Sequence, residues 1–180
     1  MQGIVFTVLS DMLIEKFGMS FLNEVLDELD LKSGGAYTAG VQYDDEEVTQ
    51  IVVKLSEKLS LSVDEILKIY GEYLFPRLLE RLPNSSVDTS SLFNFLSQVD
   101  SVIHKEVRRI HPDVYLPTFE CERLGESQLK MRYFSKRKLC SLSEGLILGA
   151  AVHFGSNITI HQTCCLKLGD DYCELVIDKE

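Results

Sequence analysis

The chain has 180 residues, 45% of them apolar and 26% charged, and a formal net charge of −10. This is a globular composition for which one domain, or one domain of two lobes, is the natural expectation. The acidic balance leaves no basic surplus to neutralise phosphates and argues against nucleic-acid binding, and no run approaches the ~18 apolar residues of a membrane span.

Residues 2–16 and 19–31 read as two helices separated by Gly18. The first thirteen residues carry apolar groups but no basic stretch and no small-residue cleavage site. No signal peptide is read, and a cytoplasmic location is expected. Residues 32–43, with Ser33-Gly34-Gly35 and Gly40, read as a loop. Asp44-Asp45-Glu46-Glu47 then places carboxylates at the start of a helix running to about Leu59, where the helix dipole favours negative charge. Ser62-Val63-Asp64-Glu65 is a capping box for the next helix. Pro76 is expected to kink or divide that helix after Phe75, and Leu82-Pro83-Asn84-Ser85-Ser86 to close it with a turn.

From about Thr89 to Ile110 a long helix carries Leu92, Leu96, Val99, Ile103, Val107 and Ile110 as one apolar stripe. At ~100° per residue, His104 falls roughly 100° from the centre of that stripe, on its flank. His111-Pro112 ends the helix. Strands over 118–124 and 128–135 form a hairpin through Gly125-Glu126. Ser141-Leu142-Ser143-Glu144 is a second capping box, opening a helix to about Phe154 that ends at Gly155. Residues 157–166 and 172–178 form a second hairpin. The expected fold is α+β: a helical N-terminal lobe over about 1–60, then a lobe over about 61–180 with a small antiparallel sheet and helices.

Tyr133-Phe134-Ser135-Lys136-Arg137 places a phenol, a hydroxyl and a guanidinium at i, i+2 and i+4. In an extended chain the side-chain period is two, so the three would share one edge suited to a carboxylate pair. Lys130, Arg132, Lys136, Arg137 and Lys138 make this a positive strip in a negative protein. Such a strip suits a small anionic ligand, and equally suits a solvated strand edge protected by charge. A lone histidine on an apolar helix is more often a satisfied core residue than a ligand. Taken with the Tyr-Ser-Arg edge, however, His104 suggests a bound haem.

Five cysteines without a secretion signal read as reduced thiols. Cys140, His161, Cys165 and Cys173 have the residue types and number for tetrahedral zinc, although not zinc-finger spacings. His161 and Cys165 share parity along their strand, which favours Cys165 over Cys164. Buried structural thiols are the plainer alternative, and Cys140 ahead of a helix N-terminus leaves a redox role open. Cys121 lies outside the cluster.

His104 within Asp100-Ser101-Val102-Ile103-His104-Lys105-Glu106-Val107, Pro117 thirteen residues later, Tyr133-x-Ser135-x-Arg137 and Glu144-Gly145-Leu146-Ile147-Leu148-Gly149 together resemble the H-NOX family. These are haem-nitric oxide/oxygen binding domains related to the sensor of soluble guanylate cyclase. The resemblance runs from Met1-Gln2-Gly3 to the C-terminus. It implies a haem b buried between the lobes, with His104 as iron ligand and Tyr133, Ser135 and Arg137 on the propionates. Pro117 would press on the haem face, with Ile4 and Val5 packing from the N-terminal lobe. Some bacterial members also carry a similar Cys3His zinc site.

Oxygen-binding members place a distal tyrosine five residues beyond the signature arginine, where this chain has Leu142. Leu74 and Leu78 are apolar as well. Bound dioxygen gains from a hydrogen-bond donor and nitric oxide does not need one, so nitric oxide and carbon monoxide are the expected ligands. The resemblance further implies signalling by breakage of the His104–iron bond, which frees the helix over 89–110. Its reader would be a separate partner, typically a histidine kinase or a cyclic-di-GMP enzyme. The alternative from another class is a non-haem ligand-binding or zinc/redox-sensing domain of the 4-vinyl reductase-like type, with His104 in the core. No Ser-His-Asp order, P-loop, dinucleotide fingerprint or paired-carboxylate site is found, so no enzymatic activity is expected.

Overall fold

The computed structural model describes residues 1–82 and 87–180; the expected turn at Pro83-Asn84-Ser85-Ser86 lies outside them. Helices α1 (Gly3–Phe17) and α2 (Met19–Asp27) are separated by Gly18, whose φ of 86° suits glycine alone. Helix α2 is shorter than the expected 19–31. The Leu29 amide bonds back to the Leu26 carbonyl at 3.1 Å, and the chain then drops Leu31 into the core. The connection to the next helix is pinned by buried Glu47, which accepts from the Ser33 amide at 3.1 Å and the Tyr37 hydroxyl at 2.8 Å.

Asp44 caps α3 (Asp45–Leu59), accepting from the Glu46 amide at 3.1 Å. The capping box of Ser62 and Glu65 forms at the start of α4 (Val63–Leu79). Pro76 does not divide α4, which continues to Leu79. Lying in the last turn, it withdraws only the donor to Glu72, so little helix is left to break.

The single helix expected over 89–110 is three segments: α5 (Leu92–Ser97), a π-helical turn (Val99–His104) and α6 (Lys105–Ile110). Ser91 caps α5 by accepting from the Asn94 amide at 3.2 Å. The Gln98 amide bonds to Phe95 at 3.0 Å, and its side-chain amide takes the Asn94 carbonyl at 2.7 Å. The Gln98 carbonyl then accepts from both Val102 (3.0 Å) and Ile103 (3.1 Å). Such an extra residue shifts the phase of everything beyond it by about 100°. The straight stripe is therefore broken: Ile110, which it would bury, is 52% exposed.

Strands β1 (Thr118–Arg123), β2 (Gln128–Phe134), β3 (Ile158–Cys164) and β4 (Cys173–Lys179) form one antiparallel sheet in the order β1-β2-β4-β3. The two expected hairpins are joined by β2–β4 pairing, with Met131 opposite Leu175 and Tyr133 opposite Cys173. Helix α7 (Cys140–His153) packs on α4. A Cβ at Gly71 would meet the Leu142 carbonyl at 2.5 Å and one at Gly145 would strike the Lys68 carbonyl, so these glycines permit the close approach.

The expected capping box at Ser141–Glu144 does not form, because α7 begins two residues earlier, with Leu139 as its N-cap, and both side chains bond to α4 instead. Ser141 Oγ donates to Asp64 at 2.7 Å, and Glu144 pairs with Lys68 at 2.8 Å. The Leu139 amide donates to the Tyr133 hydroxyl at 3.1 Å. Helices α1 to α4 enclose one apolar core around Leu9, Leu13, Leu55 and Tyr70. The inner face of the sheet, with Leu129, Met131, Leu175 and Ile177, builds a second core against α5 and α7. Leu74 belongs to the first core and Phe75 to the second, so the cores divide along α4. Among the described residues no helix is long and apolar enough to cross a membrane.

Candidate functional site

Residues of both cores line a cavity of about 530 Å³, a size in the range of cofactor sites. Ile4 and Val5 of α1, Leu74 and Leu78 of α4, and Leu142 of α7 contribute apolar surface. His104 at the end of the π turn, Pro117 before β1, and Tyr133, Ser135 and Arg137 line the same cavity. Every residue expected to touch a haem thus meets one space.

The His104 side chain is 14% exposed, and its ring centroid lies 5.8 Å from that of Phe119. Burial holds its pKa below the ordinary histidine value, with Asp100 opposing the shift. Its Nδ1 lies 3.3 Å from Asp100 Oδ1, which also accepts from Arg108 at 3.1 Å. A carboxylate can only accept, so with the imidazole proton on Nδ1 toward Asp100 the Nε2 lone pair would be left for a metal.

The signature does not form the continuous extended edge expected of it. Strand β2 ends at Phe134, and Arg137 belongs to the turn that follows, where its amide donates to Ser135 Oγ at 3.2 Å. The turn, not the strand period, returns the guanidinium to the cavity. Burial pushes the Tyr133 phenol up to about 12 and keeps it neutral. Arg137 Nε donates to Asp45 at 2.7 Å, one terminal nitrogen donates to the Tyr115 carbonyl at 2.8 Å, and the guanidinium lies 4.7 Å from the Tyr115 ring centroid.

Asp45 also binds the N-terminal ammonium at 2.6 Å. Burial alone would raise its carboxyl, but Arg137 and the N-terminus outweigh this and hold it below the usual aspartate range. Sequence reasoning missed this tie: it assigned Asp45 to the helix dipole, and nothing local links it to a residue 92 positions away. Tyr115 was missed too, although its place between Pro112 and Pro117 marks a constrained segment. Ser143 also reaches the lining. An imidazole nitrogen, an apolar cavity and a hydroxyl-guanidinium group suited to carboxylates together fit a haem.

Of the expected zinc ligands, Cys140, Cys165 and Cys173 come together, with ligand atoms within 4.8 Å of one another. The sulfurs of Cys140 and Cys165 are 3.7 Å apart and those of Cys165 and Cys173 are 3.9 Å apart. Tetrahedral zinc with Zn–S near 2.3 Å has sulfur separations of about 3.8 Å. His161 is not in this group. A bulge between Gln162 and Cys164 inserts Thr163 and removes the parity His161 was expected to share with Cys165. His161 is left exposed opposite Val176. Cys164 instead directs its sulfur to the Tyr172 carbonyl at 3.5 Å. Burial raises the Cys165 thiol, but hydrogen bonds from the Lys167 backbone and the other two thiols bring it below its ordinary value; burial pushes Cys173 up to about 12.

A family model described as Haem-NO-binding matches residues 2–162. The chain is similar to an H-NOX protein from S. oneidensis in the Fe(II)NO ligation state, with a TM-score of 0.92 and 32% identity over 100% of this chain and 99% of that one. It is also similar to the IWP-051-bound H-NOX from Shewanella woodyi in the Fe(II)CO ligation state, with a TM-score of 0.84 and 37% identity over 100% and 95% of the two chains. The soluble guanylate cyclase gcy-37 of Caenorhabditis elegans is 30% identical over 152 residues, 82% of this chain; the match spans 21% of the cyclase.

Proposed function

The chain belongs to the haem-NO-binding family, and on that premise we propose a gas sensor that binds nitric oxide and carbon monoxide at ferrous haem b and signals through release of His104. Bound haem supplies the iron that takes the gas. His104 Nε2 holds it from the protein side, with Asp100 fixing the imidazole tautomer. Tyr133, Ser135 and Arg137 take the propionates, and Pro117, Ile4 and Val5 pack against the ring. Leu74, Leu78 and Leu142 exclude water and offer no hydrogen bond, so stable dioxygen binding is not favoured. The buried Tyr70 hydroxyl is committed to the Val5 carbonyl. The gas ligands have a precedent in the Fe(II)NO and Fe(II)CO states of the similar H-NOX proteins.

Release of His104 frees the π turn and α6 from the cavity, a change of state that a partner can read. That partner is a histidine kinase, a cyclic-di-GMP enzyme or a cyclase in the cytoplasm. Residues 1–180 act as one domain, its lobes of about 1–60 and 61–180 meeting along α4. A zinc ion at Cys140, Cys165 and Cys173 is a subsidiary part of the proposal, supported by the sulfur spacings.

The observation that carries the main reading is the convergence of His104, Tyr133, Ser135 and Arg137 on one apolar cavity. The purified ferrous protein is expected to show a strong absorption band near the blue edge of the visible, altered in His104→Ala. Absence of the band from wild-type protein that has been exposed to haem and freed of unbound haem favours the non-haem, 4-vinyl reductase-like alternative. Unaltered partner regulation by His104→Ala would overturn the release step.

A further inference from the structure

The π turn does more than direct His104 into the cavity. It sets Asp100 four residues before the histidine and Arg108 four residues after it, and all three side chains meet at one oxygen. Asp100 Oδ1 lies 3.3 Å from His104 Nδ1 and 3.1 Å from an Arg108 terminal nitrogen. A carboxylate that accepts from Nδ1 pushes electron density toward Nε2 and makes the imidazole a stronger ligand. A guanidinium on the same oxygen makes a charge-assisted bond that withdraws part of that density. The histidine therefore donates into an acceptor that is already half engaged.

We propose that Asp100 and Arg108 are opposed positioning residues that set how firmly His104 holds the haem iron, and so how readily it lets go. This rests on the haem reading above. Asp100 strengthens the ligand and orients its ring, and Arg108 weakens it to the point where release is accessible. Their side chains are 26% and 38% exposed, so both can be substituted without opening a core.

The test uses the full haem-loaded chain and reads the ferrous iron–histidine stretch by resonance Raman spectroscopy. The ratio of six- to five-coordinate nitrosyl is read by electron paramagnetic resonance. Arg108→Gln is expected to raise the stretching frequency and the six-coordinate share, by about tenfold in the ratio. Asp100→Asn is expected to lower the frequency and favour the five-coordinate form. Arg108→Lys, which keeps the charge, stays near wild type. In the haem-free protein, nitrogen NMR of His104 is expected to show the proton on Nδ1 in wild type and Arg108→Gln, and a tautomer mixture in Asp100→Asn. Shifts in the same direction for Arg108→Gln and Asp100→Asn, or none, overturn the proposal. Failure of the wild-type chain to retain haem would instead overturn the haem reading on which it rests, and an iron–histidine band that survives in His104→Ala would overturn His104 as the ligand.

Discussion

Around one cavity, α1, α4 and α7 bring Ile4, Val5, Leu74, Leu78 and Leu142, while the π turn, the end of β2 and the turn after it bring His104, Tyr133, Ser135 and Arg137. The first group grows out of an apolar core and is held by close helix packing, with Gly71 and Gly145 letting α4 and α7 approach. The second is held by hydrogen bonds and charge, from Asp100 on His104 and from Asp45 on Arg137. Packing of the first kind is stiff and chemically silent. Polar anchoring of the second kind has discrete partners that can be exchanged. On the proposed reading, selectivity comes from what the apolar side withholds, and signalling from what the polar side can release.

The largest expected effect breaks the polar side at its centre. His104→Ala removes the imidazole proposed for the iron, and the ferrous iron–histidine stretch should vanish while the fold, followed by circular dichroism, persists. A smaller change sharpens the apolar side: Leu142→Tyr puts a phenol into the cavity and should lengthen the lifetime of a dioxygen adduct about tenfold or more, consistent with one hydrogen bond of about 1.5 kcal/mol. Flash photolysis of ferrous protein in air measures it. The smallest effect lies at the edge of the polar side. The Asp45 carboxyl sits below its ordinary value near 3.9, so its contribution is complete above about pH 4 and is lost as pH falls through the lowered folded value. Asp45→Asn should cost about 1 kcal/mol at pH 7 by urea unfolding, and the difference should close at strongly acid pH.

Local patterns were legible in the sequence and long-range ones were not. Both hairpins, the Gly18 break and the Ser62–Glu65 cap depend on neighbours within a few residues, and they form as read. Ser141–Glu144 has the same pattern as Ser62–Glu65, yet Asp64 and Lys68 of α4 claim its side chains. Periodicity failed wherever one residue was inserted: the π turn broke the helical stripe at Val99–His104, and Thr163 broke the strand parity that tied His161 to Cys165. That His104, Tyr133, Ser135 and Arg137 would share one cavity was expected from family resemblance alone, since no spacing rule brings His104 to Arg137. Asp45, bonded to Arg137 across 92 residues, had no sequence signal at all.

The central claim is tested most directly by exposing the haem-loaded ferrous protein in turn to nitric oxide, carbon monoxide and air while recording its absorption spectrum. The account predicts nitrosyl and carbonyl adducts and no stable dioxygen adduct. A reversible oxygen complex in the wild-type protein would contradict it.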